Sequence, residues 1–183
     1  ALSWTALGAA DTSYTAGFNL MGAQTASQAL ALLKDYHSPS QNIILADKEK
    51  IAMKTIGVMP LRAASHQTQG RMPSLGWRTE NRWQGHIEYA RNPEFTNPAG
   101  GILGNTNNRV SSGEFPEHMS FDWGDSQRIQ RWKRLMQGRK VHTRESFIEA
   151  QLDTVSFTAR ALLPLIGSDL WFTSQAAPQG TLA

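Results

Sequence analysis

Cysteine is absent from the 183-residue sequence, which excludes disulfide frameworks and thiolate metal sites but leaves the redox compartment open. No stretch approaches the roughly 20 uninterrupted apolar residues that span a bilayer, and the first residues lack the basic-then-apolar order of a signal peptide. The reading is a soluble chain, mature or excised, with no membrane partner. No internal repeat is present. The sequence also holds no His-Glu-x-x-His zinc motif, no phosphate-binding glycine loop and no Gly-x-Ser-x-Gly elbow. His86-Ile87-Glu88 has the His-x-Glu form of the zinc deaminases, but the paired cysteines that complete such a site do not exist here. The five histidines are scattered and read as ordinary surface or turn positions.

What is present suffices for a core. Six Trp, seven Phe and an apolar fraction of 40% argue against global disorder, because burial of such side chains can offset the entropy of ordering the backbone. A chain of this length can bury roughly 70% of its unfolded surface, so one domain is the default. The formal charge of +3 and the pI near 9.5 come largely from the stretch between Arg128 and Arg144. A nucleic-acid patch and a solvated helix face are the two readings of such a run. The second is preferred, because no aromatic stacking pattern interleaves with the charges and Asp122, Asp125 and Glu145 dilute the field. No nucleic-acid partner is expected.

Periodicity organises the chain into three parts. Thr25 and Gln28 have capping-box spacing, and Ala26, Ala29, Leu33 and Tyr36 then recur at helical steps, which predicts a helix of about three turns ending near Ser38-Pro39. Asn42 to Ala46, a charged turn from Asp47 to Lys50, and Ile51 to Met59 read as a β-hairpin. Between Pro60 and Gly124, rich in proline and glycine, the pattern allows long structured loop or short irregular strands. Its aromatic residues, Trp77, Trp83 and Trp123 among them, must pack on something, and an excised chain would expose part of them. The third part is helical from about Asp125 to Gln137, closed by Gly138. A longer helix follows, N-capped by Thr143, with Ile148, Leu152, Val155, Ala159, Leu162 and Ile166 as one apolar stripe and Pro164 kinking its last turn. The residues from 167 to 183 read as a loose tail.

A set of short motifs then recurs in fixed order. Asn42-Ile-Ile-Leu-Ala-Asp47 is followed by Gly57-Val-Met-Pro60 before Arg62, by Gly76-Trp77 and by Trp83-Gln-Gly85. Asn97-Pro98 leads to Gly101-Ile-Leu-Gly-Asn-Thr-Asn107-Asn108-Arg109. Phe115-Pro116, Ser120-Phe-Asp122-Trp123, Arg128-Ile129 and Gln151-Leu-Asp153 complete the series. Each motif is weak alone. Together, and collinear from Ala1 to about Ile166, they resemble the central part of the large subunit of penicillin acylases, cephalosporin acylases and acyl-homoserine-lactone acylases. The turn at Lys48-Glu-Lys50 and the stretch Pro73-Ser-Leu-Gly76 depart locally from that pattern.

The resemblance implies an α+β chain, a fragment of the αββα N-terminal-nucleophile hydrolase fold, with residues 1–166 forming part of the catalytic subunit. It implies hydrolysis of a small-molecule acyl amide through an acyl-enzyme. The nucleophile is a serine, cysteine or threonine at the first residue of the processed subunit, with its own α-amine as base. That arrangement works because an α-amine titrates at roughly 7.7–8, near neutrality. Ala1 carries no nucleophilic atom, and Ser3 and Thr5 lie in a segment the family places well downstream of the processing site. The expected partners are therefore the remaining segments of the parent enzyme, including its nucleophile-bearing N-terminus, and the isolated chain is expected to be inactive.

By the same resemblance Asn107 is the oxyanion donor. A neutral, rigidly held amide stabilises charge that develops only in the transition state, although an Asn capping a glycine-rich turn fits the residues equally well. Arg128 falls at the position of an arginine beside the nucleophile, where guanidinium offers several donors in a fixed plane. A surface helix arginine is the plainer alternative. No cofactor is implied. Relatives often hold a structural calcium, and Asp122 lies close to one such position, the other ligands coming from outside the chain. Periplasmic or secreted location is implied by the resemblance alone. A non-catalytic module whose aromatic loops bind a protein or glycan is the rival reading.

Overall fold

The computed structural model describes residues 2–111, 119–124 and 126–172, with side chains as far as 167. The chain divides into two compact units, 1–124 and 125–183, in place of the single body that length suggests.

The first unit opens with two helices, α1 (Ser13–Leu20) and α2 (Ala26–Leu32), the second running into a 3-10 turn at Leu33–Asp35. Thr25 caps α2, its Oγ1 accepting from Gln28 N at 3.1 Å. The Gln28 side chain returns the bond one residue early, accepting from Gln24 N at 2.8 Å, so the capping box closes on the residue before the cap. Ala26, Ala29 and Leu33 are buried, as their spacing predicts, while Tyr36 is only partly so. Periodicity did not flag α1. Only Ala16 of its eight residues is buried, and Tyr14 and Phe18 point outward.

The hairpin is as predicted: β1 (Gln41–Ala46) pairs antiparallel with β2 (Ile51–Ile56). Asp47 organises the turn through its carboxylate. Its Oδ1 accepts from Glu49 N at 2.8 Å and Lys50 N at 2.7 Å, and its Oδ2 accepts from Ala26 N at 2.7 Å, tying the turn to the first turn of α2. These bonds hold the Asp47 carboxyl below the usual carboxylate range, that from Ala26 most.

The second hairpin arm is shorter than the sequence suggests. It stops at Ile56, because Gly57 takes φ +97 and turns the chain into β3 (Met59–Arg62). β3 pairs with β4 (Trp83–Ile87), with a bulge between Pro60 and Arg62, and β5 (Glu94–Thr96) covers the free edge of β2. Among the described residues from Pro60 to Gly124, short strands (most of β3, with β4 and β5) alternate with longer loop stretches, so both forms that the composition allows are present. Central placement buries every residue of β2 from Ala52 to Ile56. Lys54 is among them, its Nζ donating to Glu94 Oε2 at 2.9 Å and standing 4.6 Å from the Tyr89 ring centre.

Among its described residues the second unit holds three helices, α3 (Gln127–Gln137), α4 (Arg144–Gln151) and α5 (Phe157–Phe172). Thr143 caps α4 as predicted, in a capping box completed by Ser146. The single helix expected from Arg144 to Ile166 is in fact α4 and α5. Asp153 causes the break, because its carboxylate leaves the helix to accept from Arg131, while Oδ1 also accepts from Val155 N at 3.3 Å. The Ser156 hydroxyl then accepts from Ala159 N at 3.1 Å and opens α5, which continues past Pro164 to Phe172. The loose tail expected from 167 onward is helical as far as Phe172, and 173–183 lie outside the described residues.

Candidate active site

The loop that carries Asn107 is rooted in the sheet by a relay of side-chain amides. Thr55 and Asn42 face each other across β1 and β2, and Thr55 Oγ1 donates to Asn42 Oδ1 at 2.7 Å. Asn42 Nδ2 in turn donates to Asn105 Oδ1 at 3.1 Å. The same Asn105 oxygen accepts from the Asn107 backbone N–H at 3.0 Å. From the other end of its amide, Asn105 Nδ2 donates to Asn108 O and Oδ1 at 3.3 Å each. Asn108 Oδ1 also accepts from Thr106 N at 3.1 Å. Four consecutive residues are thus locked in one tight turn.

At the apex Asn107 takes φ +67, a left-handed conformation that Asn tolerates better than other side-chain-bearing residues. Its side chain is exposed. A neutral amide presented from a backbone fixed on both sides is what an oxyanion donor requires, since no reorganisation then accompanies the reaction. The side-chain amides of Asn105 and Asn108 bond within the turn, and the Asn107 backbone N–H donates to Asn105 Oδ1.

Below the loop the first unit holds a cleft of about 450 Å³. Asn42 and Thr55, the root of the relay, line it together with Met59, Arg62, Trp83 and Trp123. Val110 also reaches it, whereas Asn107 does not line it. Trp83 and Trp123 are half-buried here, and Trp77 stays largely exposed. The Asn42–Asn105 link and Arg62 were not singled out as site residues from the sequence. Asn42 sits in a strand pattern that gives no sign of a polar long-range partner, since its partner is 63 residues away.

Arg128 belongs to the second unit. It lies in the first turn of α3, is exposed, and lines a hollow of about 310 Å³ with Gln127, Arg131, Asp153 and Phe157. Arg131, three residues further on the same helix face, grips Asp153, which keeps the Arg131 guanidinium firmly charged and the Asp153 carboxyl below its usual range. Arg128 therefore flanks a fixed ion pair. Among the described residues no group of three or more His, Asp or Glu side chains is placed to hold a metal ion, and no helix is long and apolar enough to cross a membrane.

A family model described as penicillin amidase matches residues 1–183. The chain belongs to the penicillin amidase family. Acyl-homoserine lactone acylase QuiP of Pseudomonas fluorescens strain Pf0-1 is 30% identical over 151 residues, which cover 82% of this chain and 18% of that protein. Penicillin acylase 2 proenzyme of Pseudomonas sp. strain SE83 is 25% identical over 122 residues, 66% of this chain and 15% of the relative. A thermostable penicillin G acylase from Alcaligenes faecalis superposes with a TM-score of 0.70 over 90% of this chain and 30% of its own, at 19% identity. The fold is therefore that of the penicillin acylases, the mixed α and β N-terminal-nucleophile hydrolase fold. The chain spans under a fifth of the length of these two sequence relatives.

Proposed function

We propose that this penicillin amidase family chain is one segment of an amidohydrolase that cleaves a secondary amide through an acyl-enzyme, with Asn107 as oxyanion donor. The observation that carries the reading is the amide relay from Thr55 through Asn42 and Asn105 to the Asn107 backbone, within a chain matched to the family along its whole length. In this reading a hydroxyl or thiol from another segment of the parent attacks the amide carbonyl and gives its proton to the adjacent α-amine. The carbonyl oxygen becomes an oxyanion, to which Asn107 Nδ2 donates. The C–N bond breaks as the leaving amine takes the proton, and water then releases the acyl group as a carboxylic acid.

Arg128 acts here as a positioning residue. Its guanidinium orders polar groups near the nucleophile, and the Arg131–Asp153 pair fixes the helix face that presents it. The parent enzyme works in the periplasm or outside the cell, and this chain by itself is inactive, because an oxyanion donor without an attacking group leaves the main barrier in place.

The experiment is expression of the complete parent protein and assay on N-acyl-homoserine lactones and penicillins, the compounds in the names of the relatives. Release of free amine, abolished by replacing the hydroxyl- or thiol-bearing residue at the processed N-terminus, supports the reading. A parent without such a residue, or turnover by the 183-residue chain alone, overturns it.

A further inference from the structure

Lys and Arg balance Asp and Glu in residues 1–124, so the whole formal excess of +3 falls in the second unit. The structure spreads that excess along the C-terminal half of α3 and the loop into α4. A hollow of about 510 Å³ is lined there by Gln130, Lys133, Arg134, Gln137, Gly138 and Phe157, with two cations, two amides and no carboxylate. The Arg134 guanidinium stands over the Phe157 ring, 4.9 Å from its centre. Beyond Gly138 the chain continues through Arg139, Lys140 and Val141 to Arg144, the first residue of α4. Arg131 is paired with Asp153 and Arg139 with Glu149, whereas among the described residues no ion pair takes up Lys133, Arg134, Lys140 or Arg144. All four are exposed. Glu145, the carboxylate nearest them in sequence, is engaged at the N-terminus of α4 by its own backbone N–H and by the Thr143 side chain.

Apolar side chains stand out within this basic run. Val141, between Lys140 and His142, is 77% exposed, and Phe147 is 55% exposed. The His142 ring connects them, lying 5.2 Å from the Phe147 ring, with Nε2 at 2.8 Å from Met136 O near the end of α3 and Nδ1 at 3.2 Å from Ser146 Oγ. The loop is thus held between two helices, with Val141 turned to solvent and Lys140 and Arg144 on its flanks. A basic rim around exposed apolar tips matches a bilayer interface, where anionic headgroups meet the cations and the acyl boundary receives the tips. Duplex nucleic acid offers the charge but no apolar layer for Val141. We propose that the surface from Lys133 to Phe147 docks peripherally on anionic phospholipid bilayers, with Lys133, Arg134, Lys140 and Arg144 on the headgroups and Val141 and Phe147 at the acyl boundary. The expectation of no membrane partner came from the want of a long apolar run, which peripheral docking does not need. This assignment does not depend on amide hydrolysis.

The test is cosedimentation of the complete parent protein, at neutral pH and low ionic strength, with vesicles of equal parts phosphatidylglycerol and phosphatidylcholine and with vesicles of phosphatidylcholine alone. The anionic vesicles should bind at least about tenfold more tightly, an advantage that fades toward about 1 M salt as exposed charges are screened. Lys140→Gln combined with Arg144→Gln, shown to be folded by circular dichroism, should weaken binding to the anionic vesicles about tenfold or more, the scale of removing two surface cations. Val141→Ser keeps every cation and should weaken it at least about threefold through the lost apolar contact. Equal sedimentation with the two kinds of vesicle overturns the proposal, as does an anionic preference unchanged in the double variant. So does binding to neither, as expected if another segment of the parent covers the loop. An affinity unchanged in Val141→Ser, or tighter binding per phosphate to a short DNA duplex than to the anionic vesicles, would mean that charge alone is read and overturns the bilayer as partner. Should the double variant fail to fold, Val141→Ser and the salt dependence decide.

Discussion

Arg131 on α3 holds Asp153 between α4 and α5 in a bidentate pair, Nε donating to Oδ1 at 2.9 Å and Nη2 donating to Oδ2. Both side chains are mostly covered, 19% and 15% exposed, which is why the pair decides where the helix breaks. The hydrogen bond from Arg131 is the largest cause holding the Asp153 carboxyl below its ordinary value. A depressed carboxylate stabilises the folded state above its unfolded pKa of about 3.9, and that contribution is lost as pH falls through the lower folded value. Asp153→Asn should therefore lower the urea midpoint at neutral pH, with the gap to the unaltered protein closing once pH drops below about 4. A gap independent of pH would mean that the carboxylate charge is not what fixes the break.

Tyr89 gives the opposite sign at the alkaline end. Its hydroxyl donates to Leu30 O at 2.9 Å, and burial, with Glu94 as a smaller influence, pushes its pKa up to about 12. A raised folded pKa supports stability fully below the unfolded value of about 10 and withdraws it as pH rises through the folded one. Tyr89→Phe should cost about 1 kcal/mol at neutral pH for the lost hydrogen bond. The two proteins should converge in stability between about pH 10 and 12. Parallel curves across that range would show that the hydroxyl ionises as readily when folded as when unfolded.

Gly57 ends β2 at φ +97, where an added Cβ would stand 2.8 Å from Ser40 Cα. Both contact and conformation oppose a side chain. Gly57→Ala should destabilise the first unit by about 1–3 kcal/mol, the usual range for a residue forced into a disfavoured backbone region. Gly76 has open space around its Cβ position, and Gly76→Ala should stay within about 0.5 kcal/mol of the parent. Similar losses at the two sites, measured by denaturant unfolding, would refute the steric account.

Local chemistry was legible in the sequence and long-range chemistry was not. Thr25, Thr143 and the β1–β2 hairpin follow from spacing because their partners lie within a few residues. The α4–α5 break was missed because Ile148, Leu152, Val155 and Ala159 keep a helical period through it, and the cause is a carboxylate drawn out by Arg131, 22 positions earlier. Gly57 shortened β2 for a related reason, since its positive φ answers to Ser40 and His37 across the fold. At the site, Asn107 came from a collinear family pattern, whereas its anchor Asn42 looked like any strand polar residue. Arg62 stood within a quoted motif, but its place on the cleft wall comes from the fold.

The relay also separates what Asn107 does from what its neighbours do. In the complete, correctly processed enzyme Asn107→Ala removes the side-chain donor but keeps the backbone N–H that Asn105 holds at 3.0 Å. The turn should survive, kcat should fall about 10²–10³-fold, or about 3–4 kcal/mol, and KM should change far less, because in the proposed mechanism the amide meets the oxyanion and not the ground-state substrate. Asn42→Ala instead cuts the tie at 3.1 Å that anchors the loop to β1. It should lower kcat less and loosen residues 105–108, seen as faster amide exchange there. Self-processing passes through a similar oxyanion, so the kinetics need material matured before assay or assembled from separately expressed chains. A processed Asn107→Ala enzyme with kcat within about threefold of the parent, well short of an oxyanion-donor loss, would move the donor elsewhere. If Asn42→Ala were then the more damaging change, the relay would be the catalytic element in its own right and Asn107 its turn-forming end.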